Sequence, residues 1–273
     1  MKNLVFGFSG TVGCSFYKLV KNNKNYIFSS KNKSKNFCKW NLNKSLKKFP
    51  VREVKTCYFF SSPRILKKNM KKKIFEEEYY WLKNVITNIK VDKIVYLSSS
   101  SIYYEKNHVI GKVKKKCENL ILKNKNNFSH YQIWRPYNLL SSSYITSDHF
   151  HNFLFKKMFI EKRKNFNFFG NENDMRGYSD VNDFTKILYK YSKKNISFVR
   201  EYGNRNLVKV KKIIELFNED YFKLNNNYFK AKFNNKKNNV NCIKLKKNSI
   251  YSKKKSIIIL KQYLNKSLNE KKM

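Results

Sequence analysis

Three of the chain's seven glycines fall within one heptad, Gly7-x-x-Gly10-x-x-Gly13, directly behind the apolar run Asn3-Leu4-Val5-Phe6. No other feature restricts the fold so much. An apolar strand that passes through glycines into the helix-like stretch Cys14 to Lys21 is the opening of a strand–turn–helix unit. Glycine is needed where such a chain turns tightly, where backbone must approach an anion, and where helix packs close on strand. The helix start adds N–H groups and the positive end of its dipole, so this turn is a candidate phosphate cradle.

The rhythm continues along the first half. Residues 25–30 (NYIFSS), 55–63 (KTCYFFSSP), 93–101 (KIVYLSSSS) and 131–138 (YQIWRPYN) read as strands. Between them, residues 71–89 show helical spacing of Ile74, Tyr79, Leu82, Val85 and Ile86, and residues 113–122 form a second helix. Nearly continuous apolar strands alternating with helices point to a parallel sheet covered on both faces. Such sheets take their ligands at the carboxyl ends of the strands. The second half is less regular, with helices near 183–191, 210–217 and 256–268, a strand near 198–202, and an Asn/Lys-rich loop over 225–248. The expected fold class is therefore α/β, a Rossmann-like doubly wound parallel sheet. Residues 1–140 would form the nucleotide-binding domain and 141–273 a smaller α/β substrate lobe, with interleaved segments.

Charge bears on partners. Lys and Arg number 60 against 18 acids, a formal net charge of +42. Only seven of the 60 are arginine, the residue that forks phosphates and reads bases. The lysines are spread evenly, with no run longer than three, and Asn, Ile, Phe and Tyr are abundant while alanine occurs once, at Ala231. That pattern is what an A/T-rich coding sequence produces. It implies adhesion to polyanions but no specific nucleic-acid partner. No apolar run reaches the ~18 residues of a membrane-spanning helix, and the glycine-broken N-terminus reads as a strand, not a secretory signal. Five scattered cysteines without CxxC or Cys/His spacing indicate reduced thiols, no metal site and a cytoplasmic setting.

Four motifs in order carry a resemblance. They are the Gly7–Gly13 turn, Val95-Tyr96-Leu97-Ser98-Ser99-Ser100-Ser101-Ile102-Tyr103, Arg135-Pro136-Tyr137-Asn138, and Arg176-Gly177-Tyr178-Ser179-Asp180-Val181-Asn182-Asp183. Together they resemble the extended short-chain dehydrogenase/reductases, the NAD-dependent epimerase/dehydratase group, over about residues 1–222. The resemblance implies that Gly7, Ser9, Gly10, Thr11, Val12 and Gly13 hold the dinucleotide pyrophosphate. It implies that Ser99 hydrogen-bonds the reacting hydroxyl or carbonyl, and that Ser101 faces the substrate. Asn138 and Arg176 would contact the diphosphate of a nucleotide-sugar, and the chain would form a homodimer.

Two departures stand beside the match. The family's Tyr-x-x-x-Lys engine uses the lysine to bring a tyrosine into acid/base range. Lys114 and Glu118 match the helix signature, and Gly111 fills the glycine, but the tyrosine position is Ile110. His108 paired with Lys112 is a rival register, and Tyr103 or Tyr104 is a further stand-in. Tyr17 to Lys21 and Tyr189 to Lys193 have the spacing at the wrong place. The second departure follows strand two, where Ser29, Ser30 and Lys31 replace the acid that holds the ribose of NAD. Ser30 and Lys31 instead lean toward the 2′-phosphate of NADP.

Three functions are open on the sequence. One is an NAD(P)-dependent enzyme working by hydride transfer on a nucleotide-sugar, with Ser99 and Lys114 as catalytic residues. Another is a catalytically silent relative that binds or scaffolds. The third is a polyanion-binding protein on a borrowed fold.

Overall fold

The computed structural model describes residues 1–31, 38–63, 73–103, 109–141, 150–168, 171–233, 245 and 248–272. The chain divides into two compact units, residues 1–136 with 181–202, and residues 137–180 with 203–273.

The first unit is a parallel sheet. Its strands are β1 (Asn3–Phe6), β2 (Tyr26–Ser30), β3 (Cys38–Lys39), β4 (Glu53–Phe59), β5 (Lys90–Leu97), β6 (His130–Pro136) and β7 (Phe198–Gly203). They lie in the order β3-β2-β1-β4-β5-β6-β7, each parallel to its neighbours. That is the doubly wound arrangement expected from the sequence, with the order reversing between β1 and β4. The strands are apolar on both faces because helices cover both: Leu4, Val5 and Phe6 of β1 and Ile94, Val95 and Tyr96 of β5 are all buried.

Four helices supply the cover: α1 (Thr11–Val20), α2 (Lys73–Asn88), α3 (Val109–Lys123) and α4 (Val181–Ser192). On α2 the buried positions include Glu78, Leu82 and Val85, and Ile89 directly after the helix continues the same i, i+4, i+7, i+11 stripe. One of these four is an acid. α1 packs on α4 through Phe16, and Ser15 hydrogen-bonds Asn182 (2.7 Å) and Thr185 (2.8 Å). At the other end of α4, the buried Lys93 donates from Nζ to the Ser192 and Lys194 carbonyls and to Asn195 Oδ1, each at 3.1 Å. All three ammonium protons are used, and the charge sits where a helix C-terminus favours a cation.

The second unit gathers helices Phe150–Phe155, Val210–Asn225 and Ser256–Lys272 on a core that includes Leu154, Phe155, Phe159, Phe217 and Leu260. Two details differ from the sequence expectation. Residues Lys230–Phe233, assigned to a loop on composition, form a strand parallel to Asn165–Phe168. Their alternation, with Ala231 and Phe233 on one side, is short and was masked by the surrounding Asn and Lys. Helix Val210–Asn225 also runs two turns beyond Phe217 and ends at Asn226 in the left-handed conformation (φ 49°), which asparagine tolerates. Among the described residues, no helix is long and apolar enough to cross a membrane.

Candidate functional site

The turn after β1 is built on steric necessity. Gly7 has φ +78°, and a Cβ there would lie 2.4 Å from the Ser61 nitrogen and 2.5 Å from the Phe60 carbonyl carbon. A Cβ on Gly13 would lie 2.2 Å from the Gly7 oxygen, so α1 packs directly on the turn. Gly10 differs from both. Its Cβ would meet nothing nearer than the Gly7 oxygen at 3.5 Å, so the space beside it is open. Gly10 is also the N-cap of α1 and, lacking a side chain, makes no cap bond of its own to the first-turn N–H groups. Thr11 is half-buried and Val12 is buried beneath it, while Ser9 is exposed. The turn sits where the strand order reverses between β1 and β4. A diphosphate fits this place: the backbone is accessible, the dipole end is positive, and the vacant volume is one that any side chain at residue 10 would fill.

The end of β2 lies beside it in register, with Phe6 opposite Ser29. Ser29 is buried and Lys31 exposed. No carboxylate stands at Ser29, Ser30 or Lys31; the end of this strand carries hydroxyls and one cation.

The carboxyl end of β5 leads into Ser98, Ser99 and the short helical turn Ser100–Tyr103. Ser99 Oγ accepts from the Ser101 N–H (3.1 Å). The Ser101 hydroxyl is buried and has no partner among the described residues. On α3, Ile110 stands half-buried one helical turn before Lys114. His108 and Tyr104 lie outside the described residues.

Lys114 is not a free ammonium. Its Nζ sits 2.6 Å from Glu78 Oε1 and donates to the Leu97 carbonyl at 2.8 Å. Both side chains of the pair are nearly sealed, 7% and 2% exposed. The same Glu78 Oε1 accepts from the Tyr96 hydroxyl (2.7 Å), and Oε2 accepts from Ser62 (2.8 Å). Lys114 also lies 5.2 Å from the centroid of the Tyr96 ring. Burial, with Glu78 as the next cause, raises the Tyr96 phenol well above its ordinary value. This tyrosine therefore stands near the lysine without being an accessible acid or base.

One turn along α3, Glu118 is engaged by Arg135 through Nε (3.0 Å) and Nη2 (2.6 Å) and accepts from Ser98. Arg135 donates from Nη1 to the Tyr103 hydroxyl (2.6 Å), which in turn donates to Glu201. Glu201 faces Arg135 across β6 and β7, with 3.5 Å between the charges. Burial and the hydrogen bond to Glu201 push Tyr103 up to about 12, against the pull of Arg135. That is the wrong direction for proton transfer near neutrality.

In the second unit, Asn138 donates to the Gly177 carbonyl (3.1 Å), beside Arg176 in the chain. Arg176 stacks over Phe150, 4.7 Å from the ring centroid, and its buried Nε has no partner among the described residues. Nearby Tyr178 is pushed up to about 12 by burial, against the influence of Arg176.

Glu78, Tyr96 and Glu201 were not singled out by sequence reasoning. Glu78 had a signal: it falls on the apolar stripe of α2, where an acid needs a buried partner. Glu201 had none, because its partner is set by strand pairing 66 positions apart.

No protein-family model and no curated protein matches the sequence. Solved structures do. MoeE5 in complex with UDP-glucose and NAD aligns at TM-score 0.72, 13% identity, over 99% of each chain. UDP-galactose 4-epimerase aligns at 0.71, 13% identity, also over 99% of each. UDP-N-acetylglucosamine 4-epimerase from Bacillus cereus aligns at 0.70, 15% identity, over 100% of this chain and 97% of that one. This chain therefore shares the Rossmann-like α/β fold of these solved structures, the fold class expected from its sequence.

Proposed function

We propose that the chain binds a nicotinamide dinucleotide and a nucleotide-sugar, and that it is an epimerase/dehydratase-like protein acting by hydride transfer at a sugar hydroxyl or ketone. The observation that carries this is the turn at the strand-order reversal, closed by Gly7 and Gly13 and open at Gly10. Gly7, Ser9, Gly10, Thr11, Val12 and Gly13 would hold the pyrophosphate. Ser30 and Lys31 would face the adenosine ribose and favour NADP over NAD, because a cation there suits a 2′-phosphate. When bound, the cofactor supplies hydride acceptance and return. The chain's own part is to orient a hydroxyl at Ser99, with Ser101 beside it, and to hold Lys114 one helical turn from residue 110. On the substrate side, Asn138 and Arg176 would take the diphosphate; the unpartnered Arg176 Nε supports this.

A second reading is favoured by three observations together: Ile110 cannot titrate, Lys114 is paired with Glu78, and Tyr103 is pushed up to about 12. On that reading the chain binds both ligands without turning them over. One experiment addresses both. Denaturing freshly purified protein and identifying released nucleotides by mass spectrometry, followed by calorimetric titration of NAD and NADP, tests the cradle. Failure of both dinucleotides to bind at ~1 mM, far weaker than ordinary recognition, ends the hydride proposal. Binding without turnover of UDP-sugars selects the second reading.

A further inference from the structure

We infer that Glu78 is a positioning residue that anchors Lys114 and cancels its electrostatic action on residue 110, so that proton transfer at that one position is disabled by the ion pair as well as by the missing tyrosine. The inference rests on reading Lys114 as the lysine of the proton-transfer position. A lone ammonium one helical turn from an ionisable side chain stabilises its anionic form. Here a full counter-charge sits 2.6 Å from that ammonium. The pair then acts on residue 110 as a dipole, whose field falls off faster than that of a charge.

The surroundings leave the pair little freedom. Glu78 approaches from α2, Tyr96 from β5, and Cys117 and Glu118 lie on α3 itself. Tyr96 binds the same carboxylate oxygen as Lys114, and Ser62 takes the other. Glu118 is committed to Arg135. Glu78 thus accepts three hydrogen bonds in a nearly dry pocket, and the Leu97 carbonyl accepts a further bond from Lys114. Breaking the pair would strand a charge in that pocket, which is why the arrangement is persistent. A tyrosine restored at residue 110 would meet a neutralised lysine.

A thiol placed at residue 110 reads this directly. Ile110→Cys is made in the full chain, alone and combined with Glu78→Gln, and alkylation of the residue-110 peptide by iodoacetamide is followed by mass spectrometry across pH. The labelling profile reports thiolate formation at that position. With Glu78→Gln the profile moves down by about one pH unit relative to Ile110→Cys alone, a tenfold change in thiolate fraction near neutrality. Identical profiles overturn the inference. Should Glu78→Gln not fold, the neutral pair Glu78→Gln/Lys114→Gln keeps the pocket free of a stranded charge. Cancellation requires that its profile match that of Ile110→Cys alone, and a profile about one unit higher shows instead that Lys114 was acting uncancelled. The assay contains neither dinucleotide nor sugar, so absence of cofactor binding would overturn the proposed function and leave this result intact.

Discussion

The glycine turn at residues 7–13 and the helix turn at residues 110–114 lie in the same unit, each beyond the carboxyl end of a strand, yet they keep different parts of one design. The turn retains everything that depends on backbone: the positive φ at Gly7, the contact at Gly13 and the open volume at Gly10. The helix turn carries a lysine that is paired with a buried carboxylate, which a tyrosine also binds. A binding cradle made of backbone is hard to change without losing the fold. A proton-transfer site made of side chains can be altered one residue at a time, provided each buried charge finds a partner.

The sharpest way to break the turn is Gly13→Val. With even a Cβ placed 2.2 Å from the Gly7 oxygen, α1 must move off β1. Dinucleotide binding by calorimetry is expected to vanish, and the thermal transition to fall steeply. Next in size is Glu78→Leu, which leaves Lys114 buried without its carboxylate. Stability should drop by about 3–5 kcal/mol in urea titrations. The double variant Glu78→Leu/Lys114→Met should recover most of that loss, which would show that the cost is the stranded charge.

Alkaline pH tests Tyr103 by comparison with a variant that lacks its phenol. Tyr96 and Tyr103 have raised values in the folded chain, with Tyr103 at about 12, while unfolded tyrosine ionises near 10. Their contribution is complete below about pH 10 and is lost as pH rises through the folded values. The urea midpoint should therefore fall between about pH 9 and about pH 12, and it should fall less in Tyr103→Phe.

Smaller effects sharpen the cofactor side. Lys31→Asp should shift the preference between NADP and NAD toward NAD by about tenfold, read from the two calorimetric affinities. Smallest of all in stability is Gly10→Ala. Its Cβ has room in the free protein, so the folding change should stay within about 0.5 kcal/mol. The same methyl enters the volume proposed for the pyrophosphate, so dinucleotide affinity should nonetheless fall. Unchanged affinity would mean that the phosphate lies elsewhere.

Legibility followed range. The strand–turn–helix opening, the parallel order and the position of Ile110 before Lys114 could all be read from local spacing, because periodicity and glycine placement are local physics. Lys230–Phe233 could not, since a short strand in Asn/Lys-rich sequence has no pattern until its partner Asn165–Phe168 is in place. Tyr103 illustrates the limit at the site: its place beyond β5 was visible, but its commitment to Arg135 and Glu201 was not.

The sequence by itself determined the doubly wound sheet, the glycine turn and the absence of a titratable group at residue 110. Tertiary structure alone decided the state of Lys114. Its partner Glu78 lies 36 residues away on another helix, and an ion pair between two helices is fixed by their packing on β4 and β5, not by any spacing along the chain. Charge compensation in a buried site is a property of what folding brings within a few ångströms, because only there, out of water, does one carboxylate largely cancel one ammonium.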